Sequence, residues 1–209
     1  MLVSTSFLRK GNYSDFINML NESSTDMIHY DVMDGKFVDN TNLKSVSELL
    51  KYVSLSKKKV DIHLMVNDPT KYIEALSMYN VNDIVIHKEI KNYEKMIDLI
   101  KSYGIKAGVA LNPETPIEDI LDILPKLDLV LIMSVHPGKS GQTFIEDSAL
   151  KISNLKAEIK KRGLNTMVSV DGGVCEEVLH HVKECDIVVS SSYIMNDLNN
   201  IEVIKKAAN

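Results

Sequence analysis

"MIHYDVMDG", residues 27 to 35, decides how the chain is read. With a strand's period of two, His29, Asp31 and Met33 share one face, and Tyr30 and Val32 share the other. A solvated face has no use for the methionine. A dry core disfavours the carboxylate, because an unpaired buried charge is strongly unfavourable. The segment therefore reads as a strand whose inner face carries chemistry as well as packing.

Seven other short apolar runs accompany it: "MLVSTS", "KVDIHLMV", "DIVIHK", "KAGVALN", "LDLVLIMSV", "MVSVDGG" and "DIVVSSS". Helix-like spacing fills the intervals. The sets are Phe16, Ile17, Met19 and Leu20; Val46, Leu49 and Leu50; and Tyr72, Ile73 and Leu76. Three more are Met96, Ile97, Leu99 and Ile100; Ile117, Ile120 and Leu121; and Leu150, Ile152 and Leu155. Residues 199 to 209 read as a closing helix with a frayed tail. Strand and helix in regular alternation imply a parallel sheet with crossover helices. Eight such units in 209 residues predict one closed (β/α)8 barrel, a TIM barrel forming a single catalytic domain over residues 1–209. The competing open doubly wound sheet lacks a G-x-G-x-x-G turn after an early strand.

Composition narrows the function classes. The chain is 44% hydrophobic and 25% charged, as in an ordinary globular protein. A net charge of -5 argues against a nucleic-acid partner. Cys175 and Cys185 make neither a disulfide framework nor a zinc knuckle, which fits a reducing cytoplasm. No signal-peptide pattern and no membrane span are expected.

In this architecture the chemistry sits at the C-terminal ends of the strands. His29 and Asp31 fall there on the second strand, His63 on the third beside Asp61 and Met65, His87 on the fourth, and Asp171 on the seventh. Taken singly, each histidine reads as hydrogen-bonded core. Together, His29, Asp31, His63 and Asp171 read as the ligands of one divalent metal ion. Mixed nitrogen and oxygen donors suit Zn, Fe, Mn or Co and do not choose among them. Met33, Met65 and Met133 lie at inward strand ends and could wall the reacting carbon with dry, polarizable surface. "HPGKSGQ", "DGG" and "SSS" follow strands six, seven and eight, where backbone N–H groups commonly bind phosphate.

These segments resemble the ribulose-phosphate 3-epimerase family over essentially the whole chain. The resemblance is carried by "HYDVMDGKFVDN", "DIHLMVNDPTKYI", "AGVALNPETPIEDI", "DLVLIMSVHPGKSGQTF", "VDGGV" and "VVSSSYIM". It implies a barrel of the ribulose-phosphate-binding type. It assigns metal binding to His29, Asp31, His63 and Asp171, and makes Asp31 and Asp171 the two acid/base catalysts. It places substrate contacts at Ser6, His63, Met33, Met65 and Met133. The phosphate would lie among Gly138, Lys139, Ser140, Gly141, Gly172, Gly173, Ser191 and Ser192. The implied reaction inverts C3 of a small-molecule sugar phosphate, interconverting D-ribulose 5-phosphate and D-xylulose 5-phosphate through a metal-stabilised cis-enediolate. A homo-oligomer is implied as well.

Departures from the family pattern cluster at the phosphate end. Lys139 and Ser140 replace Phe and Gly, Ser191 replaces Gly, "FVDN" replaces F-V-P-N, and "TSFLR" ends the first strand. They leave room for a hexulose 6-phosphate such as D-allulose 6-phosphate. A barrel lyase or decarboxylase fits less well. "DVMDGK" misspaces the D-x-K-x-x-D arrangement, and such a site leaves His29 and His63 unexplained. A non-catalytic sensor would be expected to have lost one of the two aspartates.

Overall fold

Eight parallel strands close on themselves in sequence order in the computed structural model, which describes residues 1–8, 11–43 and 45–207. They are β1 (Leu2–Ser6), β2 (Met27–Met33), β3 (Lys59–Met65), β4 (Val81–His87), β5 (Lys106–Leu111), β6 (Leu129–Met133), β7 (Met167–Asp171) and β8 (Ile187–Ser190). Each pairs with the next, and β1 with β8 completes the ring. Helices α1 (Tyr13–Glu22), α2 (Val46–Val53), α3 (Thr70–Leu76) and α4 (Tyr93–Ser102) follow the first four strands. After β6 comes α5 (Asp147–Arg162), after β7 the short α6 (Leu179–Val182), and after β8 come α7 (Ser192–Asn196) and α8 (Asn200–Lys206). Among the described residues no helix is long and apolar enough to cross a membrane.

The strands are apolar on the outside because helices cover them. Ile28, Tyr30 and Val32 of β2 pack into the outer core with Ile17 and Leu20 of α1 and Leu49 of α2. The inward face divides in two. From β4 to β8 it is largely apolar, with Val85, Ala110, Leu129, Leu131, Met133, Ile187 and Val189 in one cluster. From β1 to β4 it is polar and still buried, with Ser4, Ser6, His29, Asp61, His63, Asp83 and His87. A buried polar half-barrel is costly unless its groups satisfy one another.

Three local features differ from the sequence expectation. The segment carrying Ile117, Ile120 and Leu121 forms two 3-10 turns, Ile117–Ile120 and Leu124–Lys126, in place of an α-helix. Pro125 sits in the first turn of the second piece, where its missing N–H interrupts any continuous ladder. In α5 the buried face is Ser148, Ile152, Leu155 and Ile159, and Leu150 points to solvent at 67% exposure. The closing helix is confined to Asn200–Lys206, and the last two positions of its expected tail lie outside the described residues.

Candidate active site

Strand register brings the candidate residues together. Asp31 pairs with His63 and Met33 with Met65 across β2 and β3, and Met133 pairs with Asp171 across β6 and β7. Four donor atoms then form a ring of alternating imidazole and carboxylate. His29 Nε2 lies 3.4 Å from Asp31 Oδ1 and 3.8 Å from Asp171 Oδ2. His63 Nδ1 lies 3.2 Å from Asp31 Oδ1 and 3.7 Å from Asp171 Oδ2. All four atoms fall within 4.8 Å of one another. Donors held about 2.1 Å from one ion stand roughly 3–3.5 Å from their nearest neighbours, so modest tightening suits the ring to a divalent metal.

The donor chemistry agrees with that fit. His29 Nε2 is buried with no hydrogen-bond partner, while its Nδ1 lies 2.7 Å from Asp61 Oδ2. An imidazole that donates from one nitrogen to a carboxylate presents the other as a lone pair, the usual arrangement around a metal-binding histidine. Asp61 is itself held by Ser4 Oγ, which donates at 2.7 Å, and by Asp83. Burial and the neighbouring Asp61 charge keep the Asp83 carboxyl protonated far above the usual range. Asp61 and Asp83 were not assigned a role from the sequence. The alternation that puts Asp61 on the inner face was visible, but its seat beneath His29 depends on register.

The two aspartates are electrostatically unequal. Burial works to raise Asp31, but the His29 and His63 rings outweigh it and hold the carboxyl well below the usual range. Asp171 is pushed up to about 7, first by burial and then by the Asp31 charge. For His29, burial opposes protonation, yet Asp61 and Asp31 drive its pKa well above the ordinary value. The cluster calls for positive charge, which a metal ion can supply with release of protons. Two carboxyls driven apart in pKa are also the mark of an acid/base pair.

Above the ring opens a narrow cavity. Ser6, Asp31, Met33, Met65, Met133 and Asp171 line its deep end. Its outer wall is made of Gly138, Lys139, Ser140, Gly141, Gly172, Gly173, Ser191 and Ser192. His29 and His63 are buried behind the carboxylates and do not line it. His63, expected also to touch substrate, contributes its Nδ1 to the ring. Ser6 Oγ donates to Asp31 Oδ2 at 2.8 Å, so it orients that carboxylate.

Sequence reading also missed Asn42. Its Nδ2 donates to the Asp31 carbonyl at 2.6 Å, and its Oδ1 accepts from the Met33 N–H at 3.0 Å. That pair pins the end of β2. Asn40 Nδ2 donates to the Gly138 carbonyl at 2.9 Å, joining the loops after β2 and β6 across the mouth.

Gly173 has φ +65°, and a Cβ there would lie 2.5 Å from the Phe144 backbone nitrogen and 2.8 Å from the Gln142 carbonyl oxygen. Backbone atoms cannot yield as a side chain can. Gly173→Ala is expected to destabilise the fold by at least about 1–3 kcal/mol. The measurement is the urea midpoint at unchanged slope; an unaltered midpoint would show that the loop relaxes freely.

The fold and this site define a barrel enzyme that places two carboxylates and two imidazoles at strand ends, beneath a glycine-lined pocket. Residues 2–195 match the profile of the Ribulose-phosphate 3 epimerase family. The ribulose-phosphate 3-epimerase of Buchnera aphidicola is 40% identical over 203 residues, covering 95% of this chain and 88% of that protein. The Synechocystis ribulose-phosphate 3-epimerase is 35% identical over 214 residues, covering 100% and 91%. Among solved structures, Mycobacterium tuberculosis tryptophan synthase superposes with a TM-score of 0.68 at 13% identity, covering 99% of this chain and 89% of that one. That last likeness concerns the barrel alone. The chain belongs to the ribulose-phosphate 3-epimerase family, isomerases that act on carbohydrates.

Proposed function

We propose that the chain inverts C3 of a ketose phosphate, interconverting D-ribulose 5-phosphate and D-xylulose 5-phosphate. The observation that carries this reading is the ring of His29, Asp31, His63 and Asp171 at the floor of the cavity. His29, Asp31, His63 and Asp171 would hold a divalent ion, which would supply Lewis-acid stabilisation of the charge that develops when the C3 proton leaves. The protein's own residues do the rest. One aspartate removes the C3 proton on one face, and the other returns a proton on the opposite face. The C3 configuration is thereby inverted. Without an ion in the ring the two carboxyls are driven apart, Asp31 down by the His29 and His63 rings and Asp171 up by burial and the Asp31 charge. Met33, Met65 and Met133 keep stray water from the enediolate. Phosphate held at the glycine wall supplies binding energy that orients C3.

The test is kcat/KM for D-ribulose 5-phosphate against D-allulose 6-phosphate. The pentulose is expected to be the better substrate. A higher value for the hexulose would replace it with the second reading, which Lys139, Ser140 and Ser191 on the outer wall favour.

Lys139 is exposed at the cavity mouth and is proposed as a point charge for the phosphate. Lys139→Ala should then raise KM several-fold at low salt with little change in kcat, and flatten the salt dependence of KM. A KM that is unchanged at both low and high salt would assign Lys139 to the solvent.

A further inference from the structure

Behind His63 runs a chain of hydrogen bonds that the reaction does not use, buried at His63 and His87 and reaching the surface at Glu89. His63 Nε2 lies 2.8 Å from His87 Nε2, and His87 Nδ1 lies 3.2 Å from Glu89 Oε2. His63 and His87 are fully buried, and neither lines the cavity. The Phe37 ring covers His87, with centroids 4.5 Å apart. Glu89 is fixed in turn. Its Oε1 accepts from the Asn112 N–H at 3.0 Å and from the Thr115 hydroxyl. Lys151 Nζ donates to the carbonyls of Asn112, Pro113 and Thr115 at 2.9, 2.7 and 2.9 Å, which locks the loop that holds Glu89.

Proton counting gives this chain a direction. A carboxylate only accepts, so His87 donates from Nδ1 to Glu89. His87 Nε2 is then an acceptor, and His63 donates to it from Nε2. A neutral His63 is left with a bare Nδ1, 3.2 Å from Asp31 Oδ1 and 3.7 Å from Asp171 Oδ2, and acceptors facing one another at that distance call for a cation between them, the place a metal ion would take. We propose that His87 and Glu89 are positioning residues that fix the His63 tautomer so that Nδ1 stays available to a metal ion. The proposal rests on the metal-site reading above. It also explains why a histidine at the end of β4 stays out of the cavity: its partner is another histidine.

The test measures zinc affinity of the full chain by competition with a chromophoric chelator, for wild type, Glu89→Gln and Glu89→Ala. In Glu89→Gln the amide oxygen keeps the Asn112 N–H, which turns the amide NH2 toward His87 Nδ1. His87 must then donate from Nε2, and His63 must carry its hydrogen on Nδ1, where it opposes the ion. Zinc affinity is expected to fall about 10–100-fold. In Glu89→Ala water can accept from His87, so the loss should be smaller. A merely structural role predicts the reverse order, because glutamine keeps the shape that alanine removes. Thermal melts of the chelated proteins confirm that each variant is folded. Equal affinity for wild type and Glu89→Gln, or a greater loss in Glu89→Ala, overturns the relay while leaving the metal site standing. A wild-type chain that binds none of Zn, Fe, Mn or Co in the same competition overturns both.

Discussion

Asp31→Asn and Asp171→Asn should each lose epimerisation by about 10³–10⁴-fold or more, the scale of a positioned acid or base. Inversion needs a proton carrier on both faces of C3, so neither variant can complete it. Each should still exchange the C3 proton with solvent, because the surviving carboxylate can remove a proton and return it to the same face. The two variants should do so from opposite epimers. Both aspartates belong to the candidate ring, so the metal content of each variant must be matched to wild type before rates are compared. A metal-replete variant near the wild-type rate would remove its aspartate from the mechanism. If both variants exchanged the same epimer, the opposed-face assignment would be wrong. His87 could not take over the missing role without rearrangement, since its ring is buried behind His63.

The second large effect concerns the ring itself. Purified protein is expected to hold about one divalent ion per chain, because four donors converge within 4.8 Å. Stripping the ion should lower kcat by about 10³-fold or more, since Lewis-acid stabilisation of developing charge is worth several kcal/mol. Adding back Zn, Fe, Mn or Co, one at a time, should identify the ion that restores the rate. His63→Ala should lose the ion and the activity together, while circular dichroism shows the barrel intact. That removes one ligand and leaves a cavity at a fully buried position, so a lowered melting temperature is expected alongside. Full activity in the chelated wild-type protein would contradict the metal site.

Much of the site could be read from the sequence because strand ends break the apolar pattern. His29, Asp31 and Met33 on β2, and His63 and Met65 on β3, stand where a barrel interior would otherwise hold aliphatic residues. Period two then says which way they face. Contacts set by register across strands were not legible. Ser4, Asp61 and Asp83 sit on three different strands, and only barrel closure makes them one network beneath His29. The same holds for His63, His87 and Glu89. Asn42 escaped notice because a loop asparagine carries no pattern, although its two bonds fix the end of β2. In the segment after β5, apolar spacing suggested a helix, and proline made it two short turns.

In the proposed reaction Asp31 and Asp171 move the C3 proton of a pentulose phosphate around a metal-binding ring. The most direct measurement is proton NMR of D-ribulose 5-phosphate with the metal-loaded enzyme in D2O. Xylulose 5-phosphate should appear with deuterium at C3, and chelation should stop both the inversion and the exchange. Inversion that retains the original C3 proton, or that continues undiminished after chelation, would rule out solvent-exchanging, metal-assisted proton transfer by the two aspartates.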